Sequence, residues 1–148
     1  MSKGHRLFSG LESGIRFNQL SFRYPGTDKP VFKDVTLSLK IGTTLALVCA
    51  SGAGKSTLAD LLPRFYDPCA GKIELDGIDL RDIELDSFRR RLGIVSQDTF
   101  LFNASVRDNL MYGKPEATEQ DLQDALRRAN AHEFLMTFKQ DEETMIGE

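Results

Sequence analysis

The sequence predicts a mixed α/β fold with an N-terminal antiparallel β part, and three observations carry that expectation. Two early segments alternate apolar and polar residues, a short apolar run then ends at glycines and opens into helical spacing, and strand-like and helical stretches interleave afterwards. The length of 148 residues suits one domain with its own core, and 41% hydrophobic with 28% charged residues is the composition of a globular chain.

Residues 1–13 carry Gly4, Ser9, Gly10 and Ser13 with little periodicity and read as a linker or loose terminus. Ile15, Phe17, Leu20, Phe22 and Tyr24 then follow a period near two with one slip, as in a half-buried strand, and Pro25-Gly26 ends it. Val35, Leu37, Leu39 and Ile41 alternate with Thr36, Ser38 and Lys40, which predicts a second strand with one wet face. Leu45 to Val48 does not alternate, and a short apolar run stopped by glycines reads as a strand buried on both faces. From Ser56 to about Phe65, Leu58, Leu61, Leu62 and Phe65 have helical spacing, with Pro63 weakening the last turn. Ile73 and Leu75 precede the tight-turn pair Asp76-Gly77, residues 86–91 suit a short helix, and Leu92 to Ser96 suits another strand. Thr118 to Asp121 resembles a capping box, with Asp in place of Glu, and opens a helix whose apolar face is Leu122, Ala125, Leu126 and Ala129.

The net charge of −3, from 19 basic and 22 acidic residues, gives no global attraction to nucleic acid, and none is expected as a partner. Arg89-Arg90-Arg91 follows Asp82, Glu84 and Asp86 and reads as a solvated helix face. The densest apolar stretch falls far short of the ~20 residues that cross a bilayer, so no membrane span is expected of the chain itself. Two cysteines without zinc spacing, and no leader at the start, suggest a cytoplasmic setting.

The segment from Cys49 through Ser51-Gly52-Ala53-Gly54-Lys55-Ser56-Thr57 nearly matches the phosphate-binding pattern G-x-x-x-x-G-K-[ST], between a predicted strand and a predicted helix. Gly52 and Gly54 let backbone N–H groups face phosphate oxygens, Lys55 can neutralise β and γ phosphates, and the Ser56 hydroxyl can ligate Mg²⁺. The core expected around such a loop is P-loop NTPase-like. Cys49 stands where the pattern has its first glycine; if the backbone there takes positive φ, the cost is ~1–2 kcal/mol.

With these motifs the chain resembles the nucleotide-binding domain of ATP-binding-cassette transporters of the exporter type, as in lipid and multidrug exporters. The likeness runs from Gly14 to Glu148, so that residues 14–148 read as the N-terminal part of such a domain. It rests on Phe22-Arg23-Tyr24-Pro25-Gly26, on the glycine loop, and on Leu62-Pro63-Arg64-Phe65-Tyr66-Asp67-Pro68 followed by Gly71 and Asp76-Gly77. Ile94-Val95-Ser96-Gln97-Asp98 and Phe100-Leu101-Phe102-Asn103-Ala104-Ser105-Val106 extend it.

The resemblance implies that Tyr24 stacks on adenine, that Gln97 contacts Mg²⁺ and the attacking water, and that the apolar residues after it receive a coupling helix of a membrane domain. It implies ATP and Mg²⁺ as ligands, the membrane domain and a second nucleotide-binding domain as partners, and a place at the inner face of a membrane. Thr144-Met145-Ile146-Gly147-Glu148 resembles the run just before the family's LSGGQ signature. The signature, the acidic Mg²⁺ site with its catalytic glutamate and the switch histidine are not found in these residues, and neither His5 nor His132 occupies a matching position. The expectation is therefore a C-terminally incomplete fold of marginal stability with an exposed sheet edge. Two functions stand open: ATP binding by part of an exporter ATPase domain, or a degenerate or regulatory fragment without useful nucleotide binding.

Overall fold

The computed structural model describes residues 4–50, 52–96, 100–138 and 141–147. They fall into two compact units, Met1–Ile94 and Val95–Glu148.

The first unit is built on a four-stranded antiparallel sheet. Strand β1 (Gly14–Phe22) lies between β2 (Phe32–Lys40) and β3 (Ala70–Leu75), and β4 (Ile78–Asp79) pairs with β3 at the far edge. Phe17, Leu20 and Phe22 are all buried, although a regular strand would send residues three apart to opposite faces. Gln19 resolves this by taking φ 50°, and the register shifts between Phe17 and Leu20 against β2 and between Asn18 and Ser21 against β3. The slip in the apolar pattern is thus a bulge that returns Leu20 to the core face. In β2 the alternation expected from Val35 to Leu39 is present, those residues being half-buried while their neighbours are exposed. Asp76 and Gly77, at φ 51° and 82°, make the tight turn into β4 with both central residues left-handed.

Helix α1 (Lys55–Leu61) sends Leu58 and Leu61 into the core, and a 3₁₀ turn at Leu80–Asp82 and helix α2 (Leu85–Arg89) add Leu80, Ile83 and Phe88. The helix expected to reach Phe65 stops at Leu61, because Pro63 follows and Arg64 takes φ 57°. Helix α2 starts one residue earlier than expected, with the Glu84 carboxylate accepting from the Ser87 N–H as its cap.

Residues 4–13 lack regular structure beyond one bridge, Arg6 with Ile83, yet they are fastened rather than loose. The backbone of His5 and Arg6 donates to the Asp82 carbonyl, Phe8 N–H donates to the Ser87 hydroxyl, and the Phe8 ring meets Phe88 edge-on. The Asp76 carboxylate then accepts the N–H groups of Glu12, Ser13 and Gly14 at 2.7–2.8 Å. Those three donors, Glu12 foremost, hold the Asp76 carboxyl below its ordinary pKa.

Two predicted strands are not formed. Leu45 to Val48 carries no strand and is exposed, Val48 to 91%, and Leu92 to Ser96 is likewise without ladder partners among the described residues. A backbone becomes a strand only where another strand accepts and donates along its edge, and neither run meets one.

The second unit is smaller. Strands β5 (Ala104–Ser105) and β6 (Met145–Ile146) pair antiparallel, and helix α3 (Val106–Met111) is capped by the Ser105 hydroxyl. Helix α4 (Glu119–Arg128) opens on the expected capping box, the Thr118 hydroxyl and Asp121 carboxylate each accepting a backbone N–H of the other. Leu122 and Leu126 of α4 pack with Val106 and with Leu135 of α5 (His132–Leu135). Arg107 pairs with Glu119 and Glu142, tying α3 to α4 and to the 3₁₀ turn at Asp141–Glu143. Among the described residues no helix is long and apolar enough to cross a membrane.

Candidate functional site

The glycine loop turns directly into α1. Gly54 is the residue before the helix and takes φ 90°, and a Cβ there would lie 2.6 Å from Val31 Cγ1 and 3.3 Å from a Phe32 ring carbon. Glycine is therefore required twice over, by conformation and by close approach. Gly52 takes φ 77° in open space, so conformation alone selects it. The helical ladder starts at once, Leu58 N–H donating to the Gly54 carbonyl at 2.8 Å.

Lys55 folds back over this loop. Its ammonium donates to the Cys49 carbonyl at 2.8 Å and the Ala50 carbonyl at 3.0 Å, and lies 3.6 Å from the Cys49 sulfur. An ammonium has three protons, and the loop supplies three acceptors. Cys49 is exposed and is not among the residues with positive φ, so the backbone strain expected from cysteine at this position does not arise. Ser56 and Ala53 are exposed on the first turn and the loop, while Thr57 is buried. Two expected site residues, Ser51 and Gln97, lie outside the described residues. Of the metal ligands expected, Ser56 is the one described, and the residue is exposed.

Tyr24 is brought to the loop by the end of β1. Its hydroxyl is 2.8 Å from the Thr57 hydroxyl, which joins the segment after β1 to the first turn of α1. The ring meets Phe22 edge-on at 5.1 Å and Tyr66 edge-on at 5.4 Å. Beside it opens a cleft of about 640 Å³, walled by Tyr24, Pro25, Phe65 and Tyr66, a size that accommodates a small organic ligand. The structure thus joins Tyr24 to Thr57, two residues after Lys55. It adds Tyr66, which sequence reading placed inside a motif without giving it a role; its one signal was an aromatic pair, Phe65-Tyr66, held between a charged residue and Pro68.

A family model described as ABC transporter matches residues 32–146. The chain is 46% identical over 93% of its length to a Bacillus subtilis protein bearing a multidrug export ATP-binding/permease name. It is 44% identical over its whole length to the heterocyst differentiation ATP-binding protein HepA of a Nostoc species, and 45% identical over 93% to the ATP-dependent lipid A-core flippase of Syntrophus aciditrophicus. It spans 24%, 24% and 23% of the length of these relatives, about a quarter of each.

Proposed function

The chain belongs to the ABC transporter family, and from that premise we propose that it is the ATP-holding part of an exporter-type ATPase domain, whose whole protein couples ATP hydrolysis to export across a membrane. The observation that carries this reading is the loop itself: two left-handed glycines leading into α1, with the Lys55 ammonium folded back onto the carbonyls of Cys49 and Ala50. Phosphate recognition needs backbone N–H groups and a cation, roles we assign to Gly52, Gly54 and Lys55. Lys55 leaves the carbonyls of Cys49 and Ala50 and takes phosphate oxygens in their place. Ser56 and Gln97 would hold Mg²⁺, which when bound would neutralise phosphate charge, and Gln97 would contact the attacking water. Thr57 supports the phosphates from the first turn, Ser51 and Ala53 flank the first glycine of the loop in sequence, and Tyr24 stacks on the base.

ATP binding is the activity proposed for these residues. Hydrolysis, the exported substrate, assembly with a membrane domain and a second nucleotide-binding domain, and a position at the cytoplasmic face of the membrane are proposed for the whole protein. Names of the relatives point to lipids or drugs as exported substrate classes. Titration of the chain with MgATP tests the binding reading: saturable binding that weakens at least about tenfold in Lys55→Ala is expected. Absence of saturable binding at millimolar MgATP supports instead a regulatory fragment without useful nucleotide binding.

A further inference from the structure

We propose that Tyr66 is a positioning residue for nucleotide recognition, bracing the ring of Tyr24 in the orientation that receives a purine base. The proposal rests on the reading of Tyr24 as the base-stacking residue and adds what holds that residue in place.

Tyr24 is fixed on three sides. Its hydroxyl is tethered to Thr57 at 2.8 Å, Phe22 meets its ring at 81°, and Tyr66 meets it at 89°. Tyr66 also contacts Phe22 at 5.6 Å, so that the three rings support one another. Tyr24 nevertheless keeps 36% of its surface exposed, and this surface lines the 640 Å³ cleft. A stacking residue needs both properties, a ring that cannot swing away and a surface left open.

The turn bearing Tyr66 is held more firmly than a surface connection requires. Arg64 adopts φ 57° and is only 2% exposed, and its guanidinium is bonded to both oxygens of Asp67, at 2.7 and 3.3 Å. From α2, Arg89 donates to the carbonyls of Pro63 and Arg64 at 2.9 and 3.0 Å, and its guanidinium lies 5.5 Å from the centre of the Phe65 ring. Burying an arginine and holding a non-glycine residue left-handed are both costly, and such features persist where surrounding structure over-determines them. The hydrophobic core is not what this turn serves, because Phe65 and Tyr66 stay 50% and 37% exposed and wall the cleft. What the turn fixes in space is the Tyr66 ring against Tyr24.

The test compares two ligands, MgATP and magnesium tripolyphosphate, the second having phosphates and no base. In the full chain, Tyr66→Ala is expected to weaken ATP binding about tenfold and to leave tripolyphosphate binding within about twofold, since lost stacking touches only the base. Tyr66→Phe is expected to match the unaltered chain for both ligands, because bracing uses the ring and not the hydroxyl. Equal weakening of both ligands, or unchanged ATP affinity in Tyr66→Ala, overturns the bracing role. Tyr24→Ala in the same titrations reads the underlying assignment separately. If it selectively loses ATP while Tyr66→Ala does not, only the bracing role falls; if it leaves ATP binding unchanged, the base assignment falls and the bracing role with it.

Discussion

The four-stranded sheet and the run that follows β2 handle apolar residues in opposite ways. In the sheet, Phe17, Leu20, Ile73 and Leu75 are buried between strands that pair on both edges of β1, whereas Leu45, Leu47 and Val48 face solvent with no ladder. Composition does not separate the two, since both are rich in branched aliphatic residues. Pairing does. Each strand of the sheet has an antiparallel neighbour specified by its own alternation, and the Asp76-Gly77 turn delivers β4 directly to β3. An apolar run without alternation specifies burial on two faces but no particular partner, and among the described residues it finds none.

The sharpest way to break this comparison is a pair of substitutions. Leu20→Ala, at a fully buried position, is expected to cost about 2–5 kcal/mol in urea unfolding. Val48→Lys is expected to stay within about 0.5 kcal/mol. A loss of several kcal/mol for Val48→Lys would show that the run is buried after all. A smaller effect asks whether local encoding works outside the sheet as well. Thr118→Ala removes one half of the capping box of α4 and is expected to destabilise the second unit by about 1 kcal/mol, read as lost helicity on heating.

A third measurement concerns the attachment of residues 4–13, which alternation does not encode. The folded state holds the Asp76 carboxyl below its ordinary pKa, so its contribution is present above that ordinary value and is lost as pH falls through the lowered one. Hydrogen exchange at the amides of Glu12, Ser13 and Gly14, corrected for intrinsic rates, is expected to rise across that acidic window, and Asp76→Asn to raise it already at neutral pH. Exchange that ignores both changes would mean the carboxylate does not hold the segment. The smallest effect is expected at Cys49. With no positive φ to relieve, Cys49→Gly should shift the MgATP dissociation constant by less than about twofold, and a large tightening would restore strain as the explanation.

Features with a short-range physical cause were legible in the sequence. The slip between Phe17 and Leu20 was visible as a break in the apolar period, Asp76-Gly77 as a tight turn, and Thr118 with Asp121 as a cap, because each is decided within a few residues. The loop's glycines and Lys55 were legible for the same reason. What stayed hidden depends on distant partners. Nothing near Phe8 reveals that its amide will meet Ser87, 79 residues on, and nothing near Arg64 reveals that Arg89 will hold the carbonyls beside it. The position of Tyr66 follows from those long-range bonds, which explains why its motif was visible and its role was not. The runs at residues 45–48 and 92–96, exposed apart from the half-buried Leu92, are the converse case, where a correct reading of apolarity was extended to pairing that is not formed.

The fastening of residues 4–13 also has a mechanical consequence. Its bonds to Asp82, Ser87 and Asp76 lie in series between residue 4 and the start of β1. Tension applied at residue 4 is therefore shared first with the backbone around the β3–β4 hairpin and α2, and reaches β1 only when those anchors yield. Tyr24 sits just beyond the far end of β1, so a pull at one end of the strap leaves its ring undisturbed until the strap tears.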